Sequence, residues 1–121
     1  MANKNILVVD DSPTELSMIT AAVKKGRYRV STAVDGEEAM EKVAAEQPDL
    51  VVLDIILPKK NGFQVCRQLK TAPGTKDIPI ILLSSKSQDS DRFWGLKQGA
   101  DEYLCKPFDD DELLETIARL L

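Results

Sequence analysis

The sequence contains no histidine, two cysteines (Cys66 and Cys105), one tryptophan and few aromatic residues of any kind. With no imidazole and no metal-ligand spacing between the thiols, a zinc or copper site cannot be assembled. So few cysteines fit a reducing cytoplasm better than an oxidising compartment. Long apolar runs are also missing. The longest candidate, LVVLDIIL, is broken by Asp54 and falls well short of the ~18 residues that span a bilayer. Near the N-terminus, Asp10 and Asp11 interrupt what would otherwise be the apolar part of a secretory signal. Positive charge is in deficit, with 16 Lys and Arg against 20 Asp and Glu and a net charge of −4. Such a field discourages binding to nucleic acid or to an anionic membrane surface. The sequence is therefore read as cytoplasmic, with no nucleic-acid partner and no membrane insertion.

What is present is a chain of 121 residues, 43% hydrophobic and 30% charged, enough for one domain with a sizeable core. Apolar runs recur as NILVV (5–9), YRVSTA (28–33), LVVLD (50–54), IPIILLS (78–84) and EYLC (102–105). Most are continuous rather than alternating, as expected for strands covered on both faces. Between them lie helical patterns with start signals. Ser12 precedes Pro13 as a cap and first-turn pair, and Asp35 caps the second helix. NGFQVCRQLKTAPG, DSDRFWGLKQG and DDDELLETIARLL complete the set. Five strands alternating with five helices predict right-handed crossovers and an α/β fold with a doubly wound, five-stranded parallel sheet. Ligands of such sheets bind beyond the carboxyl ends of the strands.

Those ends carry chemistry. Asp10 and Asp11 follow the first strand, Asp54 closes the third, Ser84 closes the fourth and Lys106 follows the fifth. Two carboxylates about 4 Å apart repel by roughly 4 kcal/mol at an effective dielectric of 20. A cation must offset that repulsion, and hard oxygen ligands with no histidine or thiolate nearby select Mg²⁺ or a similar ion over zinc or copper. Mg²⁺ on a few carboxylates suits a phosphoryl group, which Lys106 and the Ser84 hydroxyl can also contact. Asp54, isolated at the end of the central strand, is the candidate nucleophile for an aspartyl phosphate.

The motifs VVDDS, LVVLDIILPKKNG, IILLSS and GADEYLCKPF, in this order, resemble the receiver domain of bacterial two-component response regulators over essentially the whole chain. The resemblance implies a flavodoxin-like (β/α)5 fold, one receiver domain over residues 1–121 with no output domain, and a histidine kinase of a two-component or chemotaxis-like system as partner. It implies Asp54 as phospho-acceptor and a Mg²⁺ site of Asp10, Asp11, Asp54 and the backbone carbonyl of Ile56, with Asp10 acting mainly through water. It further implies Lys106 as phosphoryl contact, Ser84 and Tyr103 as the switch pair, and a cis bond before Pro107. Tyr103 is expected to turn inward as Ser84 moves toward the phosphoryl group, and output to pass through residues 89–121. The chain is expected to catalyse only its own phosphorylation and dephosphorylation. The segment from Ile81 to Phe108 is most similar to twitching-motility response regulators of the PilH type, which serve type IV pilus control.

Serine at 84, where many members have threonine, lacks the methyl that restricts its rotamer. Asn61 reads as a turn residue before Gly62. Ile56 and Lys86 offer neither carboxylate nor amide to orient water, so a persistent phosphoryl group is expected. Of the adjacent Phe93 and Trp94, one is expected in the core and the other partly covered, with a partner surface as the sharper alternative. The Asp109–Asp111 run suits a helix N-terminus rather than a second metal site. Both cysteines are expected to be buried as small hydrophobes. Rival functions are a phosphohydrolase, disfavoured because Ile56 stands where a second aspartate is usual, and a nucleotide or flavin carrier, disfavoured by the acidic first turn. A phosphate sink, a phosphorelay intermediate or a phosphorylation-independent binding module stays open.

Overall fold

The computed structural model describes residues 3–121 and contains ten alternating elements. They are β1 (Asn5–Val9), α1 (Pro13–Lys24), β2 (Arg29–Ala33), α2 (Gly36–Glu46), β3 (Leu50–Leu53), α3 (Gly62–Thr71), β4 (Ile80–Ser84), α4 (Asp89–Lys97), β5 (Glu102–Cys105) and α5 (Asp110–Leu120). The sheet is parallel throughout, in the order β2-β1-β3-β4-β5. The chain winds outward from β1 to β2 and then crosses back to β3. The reversal therefore falls between β1 and β3, which opens a crevice at their carboxyl ends.

The continuous apolar runs divide residue by residue between two faces. Leu7, Val9, Val51, Leu53, Ile80 and Leu82 pack with Ala39, Val43, Val65 and Leu69 on the α2 and α3 side. Ile6, Val8, Leu50, Val52, Ile81 and Leu83 pack with Ile19, Val23, Leu113 and Ile117 on the α1 and α5 side. Each buried Val, Leu or Ile among them contributes roughly 1.5–3 kcal/mol by leaving water. The central strands are thus held from both sides, and the residues just beyond them sit on a rigid base.

Local start signals act as the sequence predicts. Ser12 and Asp35 accept from the backbone N–H three residues on, from Glu15 and Glu38. Asp109 caps α5 by accepting from Asp111 N. Asn61 is more than a turn residue: it caps α3 and closes a reciprocal box with Gln64, at 3.0 Å in both directions. β4 begins at Ile80 rather than Ile78, because the Ile78 N–H closes a turn onto Thr75 O and Pro79 has no N–H to give.

Two expectations fail. Neither Phe93 nor Trp94 reaches the core; they are 62% and 53% exposed. The residue of α4 that faces the sheet is Gly95, where an added Cβ would lie 2.9 Å from both Leu82 and Tyr103 side-chain atoms. The helix backbone itself comes down onto the sheet there, so the aromatics preceding it point away. Cys66 is buried, but Cys105 is exposed, because it ends β5, an edge strand with no neighbour beyond it.

Candidate functional site

The turns after β1 and β3 bring three carboxylates together. One oxygen from each of Asp10, Asp11 and Asp54 lies within 4.8 Å of the others. Backbone pairing fixes this approach: Asp10 N donates to Ala33 O at 3.1 Å and Asp54 N to Val9 O at 3.0 Å, so both residues remain tied to the sheet past the strand ends. Asp10 is fully buried and Asp54 nearly so, while Asp11 is exposed.

Lys106, just past β5, points its ammonium into the cluster. Its Nζ lies 2.7 Å from Asp10 Oδ2, 3.2 Å from Glu15 Oε2 and 3.4 Å from Asp54 Oδ2. Burial works against the Lys106 charge, but the hydrogen bond to Asp10, the charges of Asp54 and Asp10 and the hydrogen bond to Glu15 outweigh it and raise its pKa. Asp54 also titrates above the usual carboxylate range. Burial raises it, Lys106 opposes, Asp10 raises it further, and the Ser84 hydroxyl and the Ile55 N–H oppose again. The last of these is a 2.7 Å bond to Asp54 Oδ1, joined by Ile56 N at 3.4 Å. Asp54 Oδ2 is thereby left facing Lys106.

The three acids differ in what they have free. Asp10 accepts from Ser12 N at 3.0 Å as well as from Lys106, whereas Asp11 makes no hydrogen bond or ion pair among the described residues. One ammonium facing this many carboxylates leaves the pocket short of positive charge, and its donors are all hard oxygens. The residues fit a small divalent cation such as Mg²⁺.

Ser84 is fully buried, and its Oγ accepts from Lys86 N at 3.3 Å. Tyr103 lies inward, 1% exposed, with its hydroxyl donating to Lys86 O at 2.6 Å. The space for its ring is the space that Gly95 leaves. The side chains of Ile56 and Lys86 stand in solvent, and the Lys106–Pro107 bond is cis. Glu15 is a site residue that the sequence motifs leave unmarked. Its place three residues into the first helix, on the rim where the strand ends converge, was the available signal.

A buried acid beside two further acids and a lysine, at the switch point of a parallel sheet, is the arrangement expected of a receiver. A family model for the response regulator receiver domain matches residues 6–118, and the chain belongs to that family. Among its relatives, PilH of Pseudomonas aeruginosa is 44% identical over 116 residues, 96% of each chain. Several other curated relatives are longer, and the chain spans about half of their length or less. The chemotaxis response regulator CheY4 of Vibrio cholerae superposes with a TM-score of 0.91 at 30% identity, over 99% of this chain and 100% of that one. The receiver domain of a Pseudomonas aeruginosa sensor histidine kinase, with a magnesium ion coordinated in its active-site cleft, matches with a TM-score of 0.90 at 30% identity over 98% of each chain.

Proposed function

We propose that this receiver is a phosphorylation switch in which Asp54 takes a phosphoryl group from the phosphohistidine of a sensor histidine kinase. The bond from phosphorus to the histidine nitrogen breaks as a bond to Asp54 Oδ2 forms, in line. Asp54 suits the nucleophile's part because its other oxygen is held by the Ile55 and Ile56 N–H groups, so Oδ2 is aimed and free of backbone donors. Mg²⁺ would be held by Asp11, Asp54 and the Ile56 carbonyl, with Asp10 engaged through water, and when bound it supplies the charge that shields the incoming phosphoryl oxygens.

Lys106 then moves from Asp10 and Glu15 to the phosphoryl group, and Ser84 donates to a second oxygen. Because Ser84 Oγ and Tyr103 Oη both bond Lys86 through its backbone, at 3.3 and 2.6 Å, a shift of the hydroxyl is felt by the ring and by the turn before α4. Output passes through protein contacts on α4, β5 and α5. The exposed, uncharged Ile56 and the basic Lys86 leave no group to orient water, which favours a long-lived phosphoryl group. The 44% identity to PilH supports a role in twitching motility driven by type IV pili.

The observation that carries this reading is the buried Asp54 within reach of Lys106 and of both remaining acids. Incubation with Mg²⁺ and acetyl phosphate, followed by intact mass, tests it. Wild type should gain one phosphoryl group and Asp54→Asn none; equal gain in both overturns it.

A further inference from the structure

Glu15 has a ready structural explanation that the structure rules out. Ser12 and Glu15 have the spacing of a capping box, in which the glutamate side chain reaches back to the N–H of the capping serine. Only half of that box forms. Glu15 N donates to Ser12 Oγ at 3.3 Å, but the Ser12 N–H is taken by Asp10 Oδ1 at 3.0 Å. The α3 box, by contrast, is closed on both sides by Asn61 and Gln64. Released from that duty, the Glu15 carboxylate turns to Lys106 and lies 3.2 Å from its Nζ, closer than Asp54 at 3.4 Å.

We propose that Glu15 is a positioning residue that holds Lys106 on the α1 side of the acidic cluster and competes for it with a phosphoryl group on Asp54. The inference rests on the phosphorylation reading above. Lys106 has one ammonium, and three carboxylates share it. Asp10 is fully buried and locked by Ser12, so it stays where it is in either state. Glu15 keeps 44% of its side chain exposed and borders a cavity of about 290 Å³, together with Met18, Ser85, Pro107 and Phe108. It therefore has room to swing away when Lys106 leaves, without disturbing the packing. The price of that release is a partly solvated ion pair, which sets a modest but direct handicap on the phosphorylated form.

The test is equilibrium binding of beryllofluoride with saturating Mg²⁺, a phosphoryl mimic whose adduct has been used to activate the DrrB receiver domain, a structural relative of this chain. A half-exposed pair of this kind is worth up to about 1 kcal/mol, so Glu15→Gln should tighten binding roughly threefold to fivefold at low ionic strength. The gain should fade in about 1 M salt, where screening reaches within ~3 Å. It should also fade in a Lys106→Ala background. Unchanged affinity in Glu15→Gln overturns the assignment, as does a gain that persists in full in high salt or without Lys106. If wild type binds no beryllofluoride at all, the phosphorylation reading itself fails and this inference with it.

Discussion

Replacing Lys106 with methionine keeps most of the side chain's apolar stem but strands Asp10, a carboxylate with 0% exposure, without its cation. At an effective dielectric of about 20, a single ion pair near 3 Å carries roughly 5 kcal/mol of Coulomb energy, most of it offset by the desolvation of both partners. Removing one partner forfeits the attraction and keeps the other partner's desolvation, a loss measured at about 3–5 kcal/mol for buried pairs. The lower end applies here, because Asp10 retains the Ser12 N–H and the Lys106 side chain already keeps 9% exposure. A loss of about 3 kcal/mol in a domain of this size lowers Tm by about 12 °C. Thermal unfolding followed by circular dichroism, in chelator at pH 7, should show that drop. The pH dependence has a definite sign. Without Lys106, whose charge opposes the upward shift of Asp54, the folded-state pKa of Asp54 rises further above its unfolded value. The stability that protonated Asp54 supplies is then present at low pH and is lost as pH rises through that raised value. The deficit should therefore be largest at neutral pH, shrink in acid, and shrink on adding Mg²⁺. A Tm within about 2 °C of wild type in chelator at pH 7 would refute the view that Lys106 is the cation compensating Asp10.

Three further outcomes follow from separate parts of the structure. Gly62→Ala should destabilise the protein by about 2 kcal/mol in urea unfolding, because its Cβ would press on the backbone of Asp54 and Ile55, 2.7 Å from Ile55 Cα; a neutral substitution would contradict the close approach that seats the acceptor strand end. Thiol titration of the native protein near pH 8 should find one fast group, Cys105, and one that reacts only on unfolding, since burial pushes the Cys66 thiol up from 9.0 to about 12; the corresponding share of stability is lost as pH rises through that interval. Trp94, 53% exposed, should show a solvent-like emission maximum open to acrylamide quenching, and Trp94→Ala should cost less than about 1 kcal/mol; a blue-shifted, protected signal would return the ring to the core.

The sheet was legible because most of its strands are continuous apolar runs rich in β-branched residues, and β1 and β5 begin and end where their runs do. Boundaries slipped where backbone hydrogen bonding overrode apolar content, as at Ile78 and Pro79. The acids, Ser84 and Lys106 could be read because a parallel sheet gathers all strand ends on one rim. The aromatics of α4 could not, because which side of a short helix faces the sheet was decided by the smallest residue on it, Gly95, and apolar patterning gives a glycine no weight. Cys105 was misjudged because burial at a strand end depends on whether another strand lies beyond it, which is a property of strand order. Glu15 escaped notice because its partner, Lys106, is 91 positions away and its local spacing suggests capping alone.

The central claim is that Asp54, and neither Asp10 nor Asp11, receives the phosphoryl group. Reduction of the acetyl-phosphate-treated protein with borohydride converts an acyl phosphate to an alcohol at the acceptor residue, and tandem mass spectrometry then locates it. Homoserine is expected at position 54 in a Mg²⁺-dependent yield, with positions 10 and 11 unchanged. Homoserine at position 10 or 11 with Asp54 intact would contradict it.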